Sequence, residues 1–181
     1  MKKFLCIFLL LTMIFCSGYR KPYKYVINAE KDAFFHNDNG LLYLREKTYY
    51  AALQEFKIAI SLSPNTQSTA IFKTNMGKTY MIMGYPELAK QPLEEAIKAY
   101  GLNFQYYLNL ADCYEKLGII PQKIAEYENS AYVYDKIILG ILYIKTNNIT
   151  RGIITLDDFC YSEPDLLITP AIKQYIKDLK R

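Results

Sequence analysis

Apolar residues recur at three- and four-residue intervals along most of the chain, in runs broken by short polar, glycine or proline segments. That spacing gathers them on one face of a helix. The first run predicts a helix over residues 28–46, with Asn28 as its cap and Glu30 favourable in its first turn. Lys47 and Thr48 turn the chain, and residues 49–62 return with Ala52, Leu53, Phe56, Ala59 and Ile60 on the apolar face, until Pro64 stops the helix. Residues 65–69, NTQST, read as a polar loop. Further helices are predicted over 70–83, from Pro86 onward, over 102–117, from Pro121 to about 132, over 134–145 and, after a turn at 146–148, to about 161. Gly118 reads as a helix-ending residue, and Pro92, inside the fourth helix, removes an amide and predicts a bend. Beyond a break at Ser162, Glu163 and Pro164, Thr169 reads as the cap of a last helix and Pro170 as its first residue. Its Ile172, Tyr175, Ile176 and Leu179 share one face, and Lys173, Lys177, Lys180 and Arg181 crowd the other.

The predicted helices repeat one another. From Gly40, Tyr43 lies three residues on, Ala52 twelve, Phe56 sixteen, Ala59 nineteen and Pro64 twenty-four. From Gly77 the same offsets meet Tyr80, Ala89, Leu93 and Ala96, with Gly84 between and Gly101 in the proline's place. From Ala111 they meet Tyr114, Tyr127 and Ser130, with Gly118 between and Lys123 replacing the middle alanine. From Gly140 they meet Tyr143, Gly152, Leu156 and Pro164, with Phe159 at a small-residue position and Asn147 in the turn glycine's place. The origins are 37, 34 and 29 residues apart, so the third unit is about five residues short. Small residues alternating with large ones on this grid let two antiparallel helices approach closely, and a single such pair cannot bury its apolar face alone.

On these residues the chain resembles the tetratricopeptide repeat, a helix-turn-helix unit of about 34 residues. The resemblance covers residues 33–164. It implies an all-α solenoid of about four antiparallel helix pairs, at about 33–65, 66–102, 103–132 and 133–164, with residues 165–181 as a C-terminal capping helix.

The amino terminus follows a different pattern. Met1, Lys2 and Lys3 precede twelve apolar residues, Phe4 to Phe15, the layout of an export signal and too short a run to span a bilayer comfortably. Three fates are open for residues 1–18: a cut after Gly18, lipidation of Cys16, or an uncleaved anchor. Phe15, where a lipobox carries a small residue, is the departure from the lipoprotein pattern. Residues 19–28 read as a tether, and every one of the three fates puts the repeats in the bacterial envelope, periplasmic or membrane-anchored.

Net charge is +4, and Lys2 and Lys3 supply two of those charges, so the remainder has no basic excess suited to nucleic acid. The composition is 51% hydrophobic with 18 tyrosines and no tryptophan, enough to bury a core whose rings have polar ends. Outside the leader, Cys113 and Cys160 read as buried apolar thiols, with a disulfide as the alternative. His36 is the single histidine and reads as a partly buried packing residue, and Glu94-Glu95 and Asp157-Asp158 diverge as helix neighbours. Neither a metal set, a triad nor a phosphate loop assembles from these residues, so no cofactor and no catalytic residue is expected.

The resemblance implies a binding site instead: the first helix of each unit lines a concave groove that takes peptides or partner helices. Placed on this sequence, the inward positions are Asn37, Leu41, Leu44 and Arg45, then Thr74, Lys78 and Met81, then Leu108, Asp112 and Glu115, then Ile137, Ile141 and Ile144. Leu41, Arg45, Lys78, Met81, Leu108, Asp112, Glu115 and Ile141 are the candidate groove residues, and their apolar members suit an amphipathic partner segment. The expected function is a non-enzymatic scaffold or adaptor for another envelope protein. The alternative is an accessory or regulatory subunit of an envelope or cell-wall enzyme complex.

Overall fold

The computed structural model describes residues 28–63 and 67–180. The leader with Cys16, the tether up to residue 27, Pro64 and Arg181 lie outside the described residues. Within them there are nine helices and no strand: α1 Ala29–Arg45, α2 Tyr49–Leu62, α3 Gln67–Ile82, α4 Pro86–Ala99, α5 Phe104–Leu117, α6 Ile120–Glu128, α7 Asp135–Lys145, α8 Ile149–Ser162 and α9 Thr169–Leu179. Consecutive helices pair as α1/α2, α3/α4, α5/α6 and α7/α8, and the first helix of each pair is also a neighbour of the first helix of the next.

The spacing of small and large residues has a direct geometric cause. A Cβ on Gly40 would lie 2.5 Å from the ring of Phe56, one on Gly77 2.6 Å from Leu93, and one on Gly140 2.6 Å from Leu156. Each glycine is the floor on which the large residue sixteen positions later rests, so the paired helices close to a distance that no side chain there permits. Gly152 extends this in the fourth unit, where its Cβ would meet the Gly140 carbonyl at 2.6 Å.

The four turns are also alike. Lys47, Gly84, Gly118 and Asn147 stand seven residues after the four origins, and all have positive φ, at 62°, 81°, 68° and 63°. In each, the amide of the following residue donates to the carbonyl of the unit's tyrosine: Thr48 to Tyr43, Tyr85 to Tyr80, Ile119 to Tyr114 and Asn148 to Tyr143, at 2.9 to 3.1 Å. This six-to-one bond through a left-handed residue ends an α-helix while satisfying its last carbonyls. The fourth unit, irregular in residue type, has the same turn as the others. Only Gly84 and Gly118 reach this conformation without a side chain's cost; Lys47 accepts it at about 1 kcal/mol.

Several boundaries differ from expectation. α3 begins at Gln67, so three of the five residues of the predicted polar loop are helical. Thr69 is buried there, and its hydroxyl donates back to the Ser63 carbonyl. Thr169 behaves in the same way rather than as a cap: it lies inside α9, Ile168 holds the cap position, and the hydroxyl donates to the Glu163 carbonyl at 2.6 Å. α4 keeps its expected place, running unbroken from Pro86 to Ala99 with Pro92 buried inside it. α6 stops at Glu128, four residues early, where the Asn129 side chain takes up the Ala125 carbonyl at 2.7 Å.

Most of the core is one apolar cluster running from Ala89 on α4 to Ile176 on α9, with a small satellite of Ala33, Ala59 and Phe72 under the first pair. α9 packs on α8, and its Ile172 and Ile176 share the main cluster with Ile137 and Ile141 of α7. The Tyr175 ring reaches Phe104 at the start of α5, with centroids 5.2 Å apart. The last helix therefore covers the inner side of α5 and α7.

Candidate functional site

A stripe spaced three, four and four residues apart recurs on the first helix of every unit. It reads Phe34, Asn37, Leu41, Arg45 on α1; Ile71, Thr74, Lys78, Ile82 on α3; Gln105, Leu108, Asp112, Lys116 on α5; and Tyr134, Ile137, Ile141, Lys145 at α7. Because first helices neighbour first helices, these stripes lie side by side as one inner face.

The structure divides the predicted groove residues into two groups. On α1 and α3, Leu41 and Leu44 are half-buried and Arg45 and Lys78 are exposed, while Met81 is half-buried against the main core. Further along, Leu108 is half-buried against the same core, and Ile141 and Ile137 are fully buried. These two isoleucines were expected to face a partner, but they belong to the core beneath α9. Asp112 and Glu115 sit at the surface and share one cation, the Lys145 ammonium, at 2.7 Å each. Two salt bridges converging on one lysine tie α5 to α7 and leave that acidic pair already engaged; Lys145 is the last residue of the α7 stripe.

Two residues absent from the expected set extend the open part of the face. Ile71 is 37% exposed and Ile82 55% exposed, both in register with Thr74 and Lys78. The three-four-four spacing of the other stripe residues was the signal that would have found them. Between the first two units, Asn75 donates to the Asn37 side-chain oxygen at 2.9 Å. Thr74 beside it is buried, and its hydroxyl has no hydrogen-bond partner among the described residues. Such an orphan costs about 1–3 kcal/mol.

A second concavity lies on the other side of α5. A cavity of about 600 Å³ is walled by α4 through Glu94, Ile97 and Lys98, by α5 through Tyr107 and Leu110, and by Tyr127, Tyr132, Tyr134, Asp135 and Ile138. Tyr107 is held by its hydroxyl donating to the Gly101 carbonyl at 2.9 Å, and burial pushes its ionisation far upward. Next to it the Tyr114 hydroxyl donates to Glu94 at 2.8 Å and lies 3.1 Å from the Tyr127 hydroxyl. The Lys123 ammonium stands over the Tyr114 and Tyr127 rings, 2.8 Å from Glu126 and 3.8 Å from Glu94.

Most of the groups weighed for catalysis are engaged structurally. His36 Nδ1 lies 2.7 Å from Glu55, joining α1 to α2. Glu95 is bridged to Lys73 at 2.8 Å, and the hydrogen bonds from Lys73 and Gln91 hold its carboxyl below the usual range. Asp157 lies 3.7 Å from Lys180. Cys113 and Cys160 are both free and buried, and burial pushes the Cys113 thiol up to about 11, so it is a packed thiol donating to the Pro86 carbonyl. Among the described residues no three His, Cys, Asp or Glu side chains are grouped as a metal site.

The tetratricopeptide repeat model matches residues 72–101. Among curated proteins nothing matches by sequence. Solved structures do match. The first tetratricopeptide domain of Spaghetti (RPAP3), bound to an HSP90 peptide, aligns with a TM-score of 0.51 at 14% identity, over 71% of this chain and 98% of that one. A tetratricopeptide repeat protein from Parabacteroides merdae aligns with a TM-score of 0.51 at 16% identity, over 83% of this chain and 60% of that one. PilF of Pseudomonas aeruginosa aligns with a TM-score of 0.50 at 15% identity, over 82% of this chain and 68% of that one. At such identities the likeness is one of fold.

Proposed function

We propose that this chain, a helical solenoid of the tetratricopeptide type in its fold, is a non-enzymatic protein-interaction scaffold that takes an apolar or amphipathic segment of a partner on the inner face of α1 and α3. The observation that carries the reading is the asymmetry of that face. Its α7 half is covered by the chain's own amphipathic helix α9, while the α1 and α3 half leaves Ile71 and Ile82 exposed and Leu41 half-buried. An apolar stripe seated on an inner groove is a common mode of helix recognition, and α9 is an internal instance of it. Arg45 and Lys78 at the rim favour an acidic border on the partner segment.

The variant Ile71→Glu/Ile82→Glu tests this, because both residues are exposed and the change should leave stability within about 0.5 kcal/mol by thermal circular dichroism. Crosslinking in intact cells is expected to capture a partner with the natural chain and to lose it with the folded variant. Equal capture by both would rule out the inner face as the interface.

The location of this scaffold in the envelope is part of the same proposal and rests on the Phe4 to Phe15 run behind two lysines. Fractionation, with the mass of the N-terminal peptide, decides it: a lipidated Cys16, a start at Tyr19 or a membrane-bound intact leader each support export. A cytosolic chain with residues 1–18 intact would refute it.

A further inference from the structure

The tyrosine-lined cavity arises from the shortened third unit. α2, α4 and α8 each have fourteen residues, and α6 has nine. The five missing residues match the shortfall between the 34- and 29-residue steps, and they remove about 7.5 Å of helix. Where that helix would have continued against α4, the chain instead crosses as an irregular segment over residues 129–134, with Tyr132 and Tyr134 in it. Four tyrosines, Tyr107, Tyr127, Tyr132 and Tyr134, thus line one space of about 600 Å³. That volume is in the range of small-molecule sites.

Asp135 lies on the wall of this space with Tyr107, Tyr132 and Tyr134, and its carboxylate disfavours a further negative charge at the Tyr107 hydroxyl. Asp135 accepts from the Ser130 hydroxyl, a neutral donor that leaves its carboxylate charge uncompensated. The two lysines nearby do not reverse this. Lys123 is committed to Glu126 and lies against the Tyr114 and Tyr127 rings, and Lys98 is exposed at the rim. Ring faces and a carboxylate together attract a cation, and the apolar wall of Ile97, Leu110 and Ile138 suits a cation carrying hydrocarbon.

We propose that the cavity between α4, α5 and the 129–134 segment is a binding site for a small organic ammonium ion, held by the faces of Tyr107, Tyr127, Tyr132 and Tyr134 with Asp135 as its counter-ion. This site is separate from the inner face of α1 and α3, and its existence does not depend on that face binding a protein.

Calorimetry and tyrosine-ring NMR on the full chain test it with four probes. Choline represents a free quaternary amine, butylammonium the head of a lysine side chain, neohexanol the neutral isostere of choline and sodium pivalate an anion of similar size. The expected result is saturable binding of at least one cation, at least tenfold tighter than neohexanol, with shifts in the cavity tyrosines. The cation that binds more tightly distinguishes a free quaternary ligand from a lysine side chain. Tyr132→Ala, at a residue 62% exposed, and Asp135→Asn should each weaken that binding about tenfold while the melting curve holds. Binding of neohexanol or pivalate as tight as the cations, or cation binding untouched in both variants, would overturn the assignment, as would the absence of saturation by either cation.

Discussion

The substitution Gly152→Ala should destabilise the fold by about 2–3 kcal/mol, even though alanine is the better helix former by about 1 kcal/mol. The added Cβ would fall 2.5 Å from Ile144 Cγ1 and 2.6 Å from the Gly140 carbonyl oxygen. Ile144 is only half-buried and its side chain can turn aside. The carbonyl belongs to the middle of α7, so it moves only if α7 itself withdraws from α8. That withdrawal loosens Ile137, Ile138, Ile141 and Leu142, all of them buried. Thermal circular dichroism should record a fall of about 5–10 °C for a chain of this size. The cause is separable by rescue. The three atoms nearest to a Cβ on Gly40 all belong to the Phe56 ring, which can be trimmed away, so Gly40→Ala combined with Phe56→Ala should be no less stable than Phe56→Ala alone. Gly152→Ala combined with Ile144→Ala should remain destabilised relative to Ile144→Ala alone, because the backbone contact persists. Full rescue in the second pair, or an unchanged melting point in the single variant, would show that α7 and α8 do not hold the spacing described.

That contact also explains how much of the fold could be read from residue types. Alternation of small and large residues at fixed offsets encodes a distance between helices, so the pairs α1/α2, α3/α4 and α7/α8 were legible down to Gly40, Gly77 and Gly140. Turn glycines encode a left-handed residue, and Gly84 and Gly118 were read as such or lay on the grid. Lys47 and Asn147 adopt the same φ without being glycine, because the six-to-one bond and the packing of both flanking helices fix the turn whatever residue occupies it. Phe159 breaks the small-residue rule by being buried itself, its ring 6.0 Å from Tyr134, rather than by making room for a neighbour.

The parts that were not legible concern what lies opposite a face. An amphipathic stripe states that a surface is covered, not by which element. Ile137 and Ile141 therefore looked like groove residues when α9 had already claimed them. The five-residue deficit was visible in the repeat step, yet residues 129–132 contain neither proline nor glycine, so nothing in them placed the end of α6 at Glu128. The cavity follows from that missing length. It is a property of the gap between elements, and the tyrosines around it come from α5, α6 and the segment before α7.

The substitution Ile172→Asp should release α9 while leaving the repeat pairs folded. Ile172 is fully buried in the main cluster, and a carboxylate confined there without a partner would cost several kcal/mol. A cheaper response is for α9, the last of the described helices, to swing away on the 163–168 segment. The measured loss is therefore capped at the free energy of docking that helix, about 3–4 kcal/mol for an apolar face built from Ile168, Ile172, Ile176 and part of Tyr175. Hydrogen exchange should show protection falling more than about 100-fold across residues 169–179, with that of α1 to α4 unchanged. Undocking also uncovers Ile137 and Ile141 and parts Tyr175 from Phe104, so the inner face of α5 and α7 becomes apolar and open. Dye binding to exposed apolar surface should rise accordingly, and a peptide with the sequence of residues 165–181, added in trans, should suppress it. If protection falls throughout the chain, α9 is integral to the solenoid rather than a helix lodged on its inner face. If it falls only at the terminus, the last two units possess the same kind of groove as the first two, with the chain's own helix as its occupant.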